Sequence, residues 1–315
     1  MSFNQYTWDL YKQTTIGIEM IKYFSDAGGY VLFKDYCPYA NFIPEDLYND
    51  WLENIYCYGV SDYDHPSSLE EAKDLYISLI TLGIRVEGQQ WLPANDFKNM
   101  LGIIQPMSYV LSQFAPEYFF PYLFLCRIFE LNKIADFFNI DLPNIPKRTD
   151  YKGRCMYYWE LCEVFYLFRK ENGLSPADLW SFLYDFAPNN LPSEKIDMPK
   201  PSQVWFIGGR LYQEDKSLES KFWQSSPETK KGDILVHYET SPISAITCIE
   251  ISLTDGVIDP LFRYYGCIYI GNRINIPHIT LKELQTDEYF FKHPLVRKNF
   301  QGVNGWSVNS ENYSE

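Results

Sequence analysis

The residues best placed to do chemistry are tryptophans spaced along the last third of this 315-residue chain. Trp205 lies inside Val204-Trp205-Phe206-Ile207, Trp223 in a polar stretch, and Trp306 near the end. Between them stand a Gly-Asp turn (Lys231-Gly232-Asp233), an apolar run ending in His237-Tyr238, and a polar loop, Glu239-Thr240-Ser241-Pro242. Tryptophans near the mouth of a small barrel can hold a flat ring such as a nucleobase, and stacking of a base on an aromatic is worth roughly 1–3 kcal/mol. That chemistry is binding rather than turnover. The chain has no Gly-x-Ser-x-Gly elbow, no phosphate loop and no zinc-protease motif. Gly208-Gly209 after an apolar run reads as a turn or a close backbone approach, and the acid pairs Glu70-Glu71 and Asp287-Glu288 read as helix-start or surface charge.

Metal chemistry is not expected. The seven cysteines (Cys37, Cys57, Cys126, Cys155, Cys162, Cys248, Cys267) include no Cys-x-x-Cys pair, and the four histidines are scattered without ligand spacing to them. An odd number of thiols in mostly apolar settings predicts reduced, buried cysteines and a cytoplasmic protein with no cofactor. The polar start (Met1-Ser2-Phe3-Asn4-Gln5) predicts no export signal. The longest apolar stretches fall near half of the ~20 residues that a membrane span needs, so no membrane partner is expected.

The elements that must position these residues fall into two groups. With 46% hydrophobic and 18% aromatic residues, the chain can bury two cores. Residues 1–190 carry helical spacing: 8–24, a helix from Pro44-Glu45-Asp46 to about Tyr58, and one capped by Ser67-Ser68 that stops before Gly83. Residues 116–138 predict one or two core helices, 27–33 and 84–92 short strands, and 141–152 a loop. Tyr158, Leu161, Cys162, Phe165 and Phe168 form an apolar stripe that ends at Gly173; Ser175-Pro176-Ala177-Asp178 then caps a second helix. This pair resembles a helix-turn-helix in outline, but the second helix carries Asp178 and Asp185 and no base, so core packing is the better reading.

Residues 191–203, with Pro192, Pro199 and Pro201, read as a linker, and the boundary is placed near 198. Beyond it the period shortens. Residues 204–207, 234–238, 243–253 and 264–270 predict strands, 279–284 a short helix or turn, and 300–308 a closing strand. The predicted fold class is α+β: a mainly helical domain over 1–198 followed by a partly closed barrel over 199–315. The charge is divided as well. The net is −14, yet residues 199–315 hold 12 Lys/Arg against 14 Asp/Glu, so the acid lies in the helical domain. A polyanion would be repelled there and tolerated at the barrel.

The ordered segments of the last third resemble EVE domains, relatives of YTH and ASCH domains in the PUA-like group. Val204-Trp205-Phe206-Ile207 is similar to the opening strand. Trp223 stands where that family has a second tryptophan, and Lys231-Gly232-Asp233-Ile234-Leu235-Val236-His237-Tyr238 is similar to its Gly-Asp strand. Ile276-Pro277-His278-Ile279-Thr280-Leu281 with Leu284 resembles its later segment. The resemblance covers about residues 203–309. One departure is plain: the family follows its second tryptophan with Asn and Arg, whereas here Gln224-Ser225-Ser226-Pro227-Glu228 follows.

The resemblance implies a PUA-like barrel of EVE type that recognises a nucleobase, often a modified one, in an aromatic pocket. A methyl group on the base would add about 0.8 kcal/mol of burial. The expected walls are Trp223 and Trp205, then Tyr238 and Trp306; the expected edge contacts are Thr240, Ser241 and Ser225. Trp205 sits in an apolar strand where core packing competes with that role, while Trp223 sits in a polar stretch. Arg273, Arg297 and Lys298 are the expected phosphate contacts, with Lys221, Lys230, Lys231 and Arg263 also available. The expected function is non-catalytic recognition of a nucleic acid or nucleotide, with a protein partner or a second copy meeting the acidic helical domain. A bacterial nucleic-acid-processing or defence setting follows by analogy only. The alternatives are an interaction scaffold whose barrel has no ligand, and a small-molecule nucleotide sensor.

Overall fold

A computed structural model describes residues 3–86, 89–191, 198–210, 220–262 and 266–309. The chain divides into two compact units, Met1–Ser193 with Asp259–Tyr264, and Glu194–Ile258 with Tyr265–Glu315. The fold is α+β, with helices concentrated in the first unit and a nearly closed barrel in the second. Arg263 and linker residues 192–197 lie outside the described residues.

The first unit comprises α1 (Gln5–Gln13), α2 (Thr15–Asp26), α3 (Gly29–Tyr36), α4 (Glu45–Ile55), α5 (Leu69–Leu82), α6 (Phe97–Met100), α7 (Ile104–Phe114), α8 (Ile128–Phe138), α9 (Tyr151–Glu171), α10 (Pro176–Ser181) and α11 (Ala187–Asn190). Its boundaries follow local chemistry. Ser68 accepts from Glu71 N to start α5, and Gly83 at φ 76 ends it. Ser175 and Asp178 form a capping box with Pro176 in the first turn of α10. Thr14 both closes α1 and caps α2 through Gly17 N, so the helix expected over 8–24 is two helices. Residues 27–33, expected as a strand, lie mostly in α3, which buries Leu32 and Phe33. Residues 84–92 form an antiparallel pair, β1 (Ile84–Val86) with β2 (Gln89–Leu92). The core is aromatic, with Trp8, Tyr48, Tyr76, Tyr122, Tyr158 and Trp159 fully buried. Among the described residues no helix is long and apolar enough to cross a membrane.

In the second unit the sheet contains β3 (Val204–Gly209), β4 (Ser220–Ser225), β5 (Ile234–Glu239), β6 (Ala245–Ser252), β7 (Val257–Ile258), β8 (Gly266–Thr280) and β9 (Asn304–Ser307). The order is β4-β8-β6-β5-β3-β9, with β7 on β8; β3 and β5 run parallel and the other pairs antiparallel. The barrel nears closure where β9 returns to β4. At Gly305 (φ 71) a Cβ would collide with the backbone nitrogen of Ser226, so glycine permits that approach. Two short helices, α12 (Leu281–Thr286) and α13 (Pro294–Arg297), cover one face of the sheet, packing Leu284, Leu295 and Val296 with Phe206, Tyr238 and Phe300.

Candidate functional site

Successive side chains of a strand point to opposite faces, and β5 is the clearest case here. Tyr238 belongs to the Phe206–Leu295 cluster under the helices, whereas Leu235 belongs to a second cluster with Trp205, Ile207, Ile268 and Ile270, against which Trp223 packs. His237, two residues beyond Leu235, therefore continues on the Trp223 side. Its ring meets Trp223 edge-on, with centroids 4.8 Å apart at 61°. At Gly209 on β3 a Cβ would sit 2.7 Å from Trp223 Cζ2, so the missing side chain makes room for the indole.

Sheet register adds three more groups. Cys248 of β6 lies opposite His237, and Glu250 follows two residues later. Glu250 is buried, and Oε2 lies 3.1 Å from His237 Nδ1. Arg273 of β8 reaches its other oxygen: Nε donates to Oε1 at 2.8 Å and Nη2 lies at 2.7 Å. Burial pushes the Glu250 carboxyl upward, but the hydrogen bonds from His237 and Arg273 and the guanidinium charge outweigh it and hold the group below its ordinary value. Burial, reinforced by the Glu250 charge, pushes the Cys248 thiol up to about 11. His237 Nε2 is buried and has no hydrogen-bond partner among the described residues.

His237, Cys248 and Glu250 place ligand atoms within 4.8 Å of one another, the only such His/Cys/Asp/Glu group among the described residues. The spacing suits a metal, but the charge does not. Arg273 already neutralises Glu250, and a metal would have to take its thiolate from a sulfur held protonated. The arrangement is a hydrogen-bonded ion pair joined to a histidine whose ring meets the Trp223 indole edge-on. Linear spacing hides it, because His237, Glu250 and Arg273 meet only through the registers of three strands.

The expected site residues do not form one cage. Trp223 is half-buried and stands in the site just described. Trp205, expected as a wall, is a core residue; its indole N–H donates to the buried Asp233, which fixes the ring in the barrel. Tyr238 faces the other way and stacks on Phe300 at 3.9 Å and 6°. With Thr240 and Ser241 it lines a separate groove of about 740 Å³ that also includes Ser244, Gln285 and Asn304. Ser225, expected at a base edge, is buried and shares a 2.8 Å hydrogen bond with Thr229. Trp306 packs at the margin of the Phe206 cluster, with Lys298 Nζ 5.7 Å from its ring. Arg297 and Lys298 are exposed, as a phosphate contact requires. Arg273 is committed to Glu250, because a buried carboxylate needs a cation.

No family model matches the chain, and no curated protein matches it. Among solved structures, the NMR structure of Rpa0253 from Rhodopseudomonas palustris is similar over 35% of this chain and 88% of that chain, at 12% identity and a TM-score of 0.30, a score at which the likeness carries no argument.

Proposed function

We propose that the C-terminal barrel is a non-catalytic recognition module for a nucleic acid or nucleotide, taking the flat ring of a nucleobase against Trp223. The observation that carries this reading is the pairing of a half-buried indole with a buried, unpartnered ring nitrogen on His237 beneath it. An indole face supplies stacking to any base, and a buried polar atom supplies orientation. The near-neutral composition of residues 199–315 and the exposed Arg297 and Lys298 are compatible with a phosphate alongside. The EVE-type resemblance belongs to this proposal, with Trp223 as the family's second tryptophan. The acidic helical unit then meets a protein partner or a second copy of the chain.

The test is a titration of tryptophan emission with mononucleotides and with methylated and unmodified oligonucleotides. Wild type, Trp223→Ala and Trp223→Phe are compared. Binding should fall on the order of tenfold in the alanine variant, as expected for one lost stacking partner, and partly return in the phenylalanine variant. Equal affinity in all three proteins would sink the proposal. A steep loss of affinity with salt identifies a polyanion ligand, and a flat response a free nucleotide.

A further inference from the structure

The ion pair at the Trp223 end of the barrel fixes which atom of His237 is left for a ligand, and the inference drawn from it rests on the base-recognition reading above. An ionised carboxylate has no hydrogen to give. Glu250 is held in that form by Arg273, whose Nε and Nη2 both meet Oε1 at 2.8 and 2.7 Å. The 3.1 Å contact from Glu250 Oε2 to His237 Nδ1 therefore carries its hydrogen on Nδ1. A neutral imidazole with hydrogen on Nδ1 keeps a lone pair on Nε2, on the far side of the ring from Glu250.

We infer that His237 Nε2 is a hydrogen-bond acceptor that selects bases presenting an N–H or NH2 group, and that Glu250 and Arg273 are positioning residues that hold His237 in the accepting tautomer. Nε2 is sealed from solvent, and the Trp223 indole rests against the same imidazole ring. Gly209 sets how close that indole lies. A base with a methyl group in place of its edge hydrogen leaves Nε2 unpaired and places carbon against it, which is the more costly arrangement.

The experiment compares nucleoside pairs that differ only at that edge: uridine with 3-methyluridine, and adenosine with N6,N6-dimethyladenosine. Each is titrated against the full chain and its His237→Phe variant by tryptophan emission. Long-range 1H–15N imidazole spectra of the wild-type protein give a readout that does not depend on the variant folding. The expected result is a parent nucleoside bound about tenfold or more tightly than its methylated partner, a gap that closes in His237→Phe. The spectra should show His237 as the Nδ1–H tautomer, with an Nε2 resonance that moves when the parent nucleoside is added. Equal affinities within each pair, or an Nε2–H tautomer, would overturn the inference and leave base recognition standing. If no nucleoside binds at all, both fail. Stoichiometric Zn2+ uptake that is lost in Cys248→Ser would also overturn it, by making the cluster a metal site.

Discussion

The indole N–H of Trp205 donates to Asp233 Oδ2 at 2.9 Å, and this bond ties the first barrel strand to the turn that opens the third. The same carboxylate accepts from Lys230 N at 2.9 Å on Oδ2, and from Ser202 N, Ser202 Oγ and Gln203 N at 2.9, 2.7 and 3.0 Å on Oδ1. Asp233 has no solvent exposure, so these donors replace water around a charge.

Asp233→Asn should destabilise the barrel by about 2–4 kcal/mol. The substituted amide offers hydrogens where Trp205 and Lys230 already donate, and hydrogen bonds to a charged group each contribute roughly 1.5–3 kcal/mol. The acid limb has a fixed sign. Burial pushes the Asp233 carboxyl upward, but the bonds from Lys230, Trp205 and Ser202 prevail and hold it below its ordinary value. Its contribution is therefore complete above the unfolded value of about 3.9 and is lost as pH falls through the lower folded value. Urea unfolding followed by tryptophan emission at pH 7 and in acid checks both points. An unchanged midpoint in the variant would contradict the five-bond arrangement.

The Arg273–Glu250 pair predicts non-additive mutants. Glu250 is 2% exposed and Arg273 22%, so removing the guanidinium leaves an anion in the interior with His237 as its remaining partner. Arg273→Met should cost about 2–4 kcal/mol, toward the lower end of the range for breaking a buried pair because the arginine is partly solvated. Arg273→Met/Glu250→Met should recover part of that loss, since an apolar pair has no charge to desolvate. A double-mutant cycle by urea unfolding gives the coupling directly, and simple additivity would refute the interior pairing.

Much of the framework is legible in the chain because it is written locally. Ser68, Gly83, Ser175, Pro176 and Gly173 punctuate helices through their own backbone preferences, and the Gly232-Asp233 turn announces β5. The short β4 is harder: Ser220 to Ser225 has two adjacent aromatics between polar residues, and its pairing with β8 decides its conformation. The helix at Gly29–Tyr36 has β-favouring Tyr30 and Val31 near its start, and buried Leu32 and Phe33 decide against a strand. The site is less legible still. Tyr238 and His237 are neighbours in sequence and point to opposite faces, so the linear run does not separate the Trp223 side of β5 from the groove lined by Tyr238, Thr240 and Ser241. Glu250 and Arg273 declare their roles only once the β5–β6 and β6–β8 registers are known.

The helical unit offers a pH test of opposite sign, centred on Asp259. This carboxylate is fully buried and accepts from Cys126 N and Leu261 N, both at 3.0 Å. Burial is the larger influence and pushes the group up to about 6, although these N–H donors and the nearby Arg154 guanidinium pull it down. Between the unfolded value of about 3.9 and the folded value of about 6, the folded chain binds more protons than the unfolded one. This group's contribution to stability thus falls as pH rises across that window, by roughly 3 kcal/mol at 1.36 kcal/mol per unit, and is flat above it. Asp259→Asn does not titrate. Whatever its stability at one pH, the gap between wild type and variant should move by about 2 kcal/mol in the variant's favour between pH 4 and pH 7, read by helical circular dichroism in urea. A gap that stays constant over this interval would show that Asp259 is ionised throughout and that its N–H donors outweigh burial.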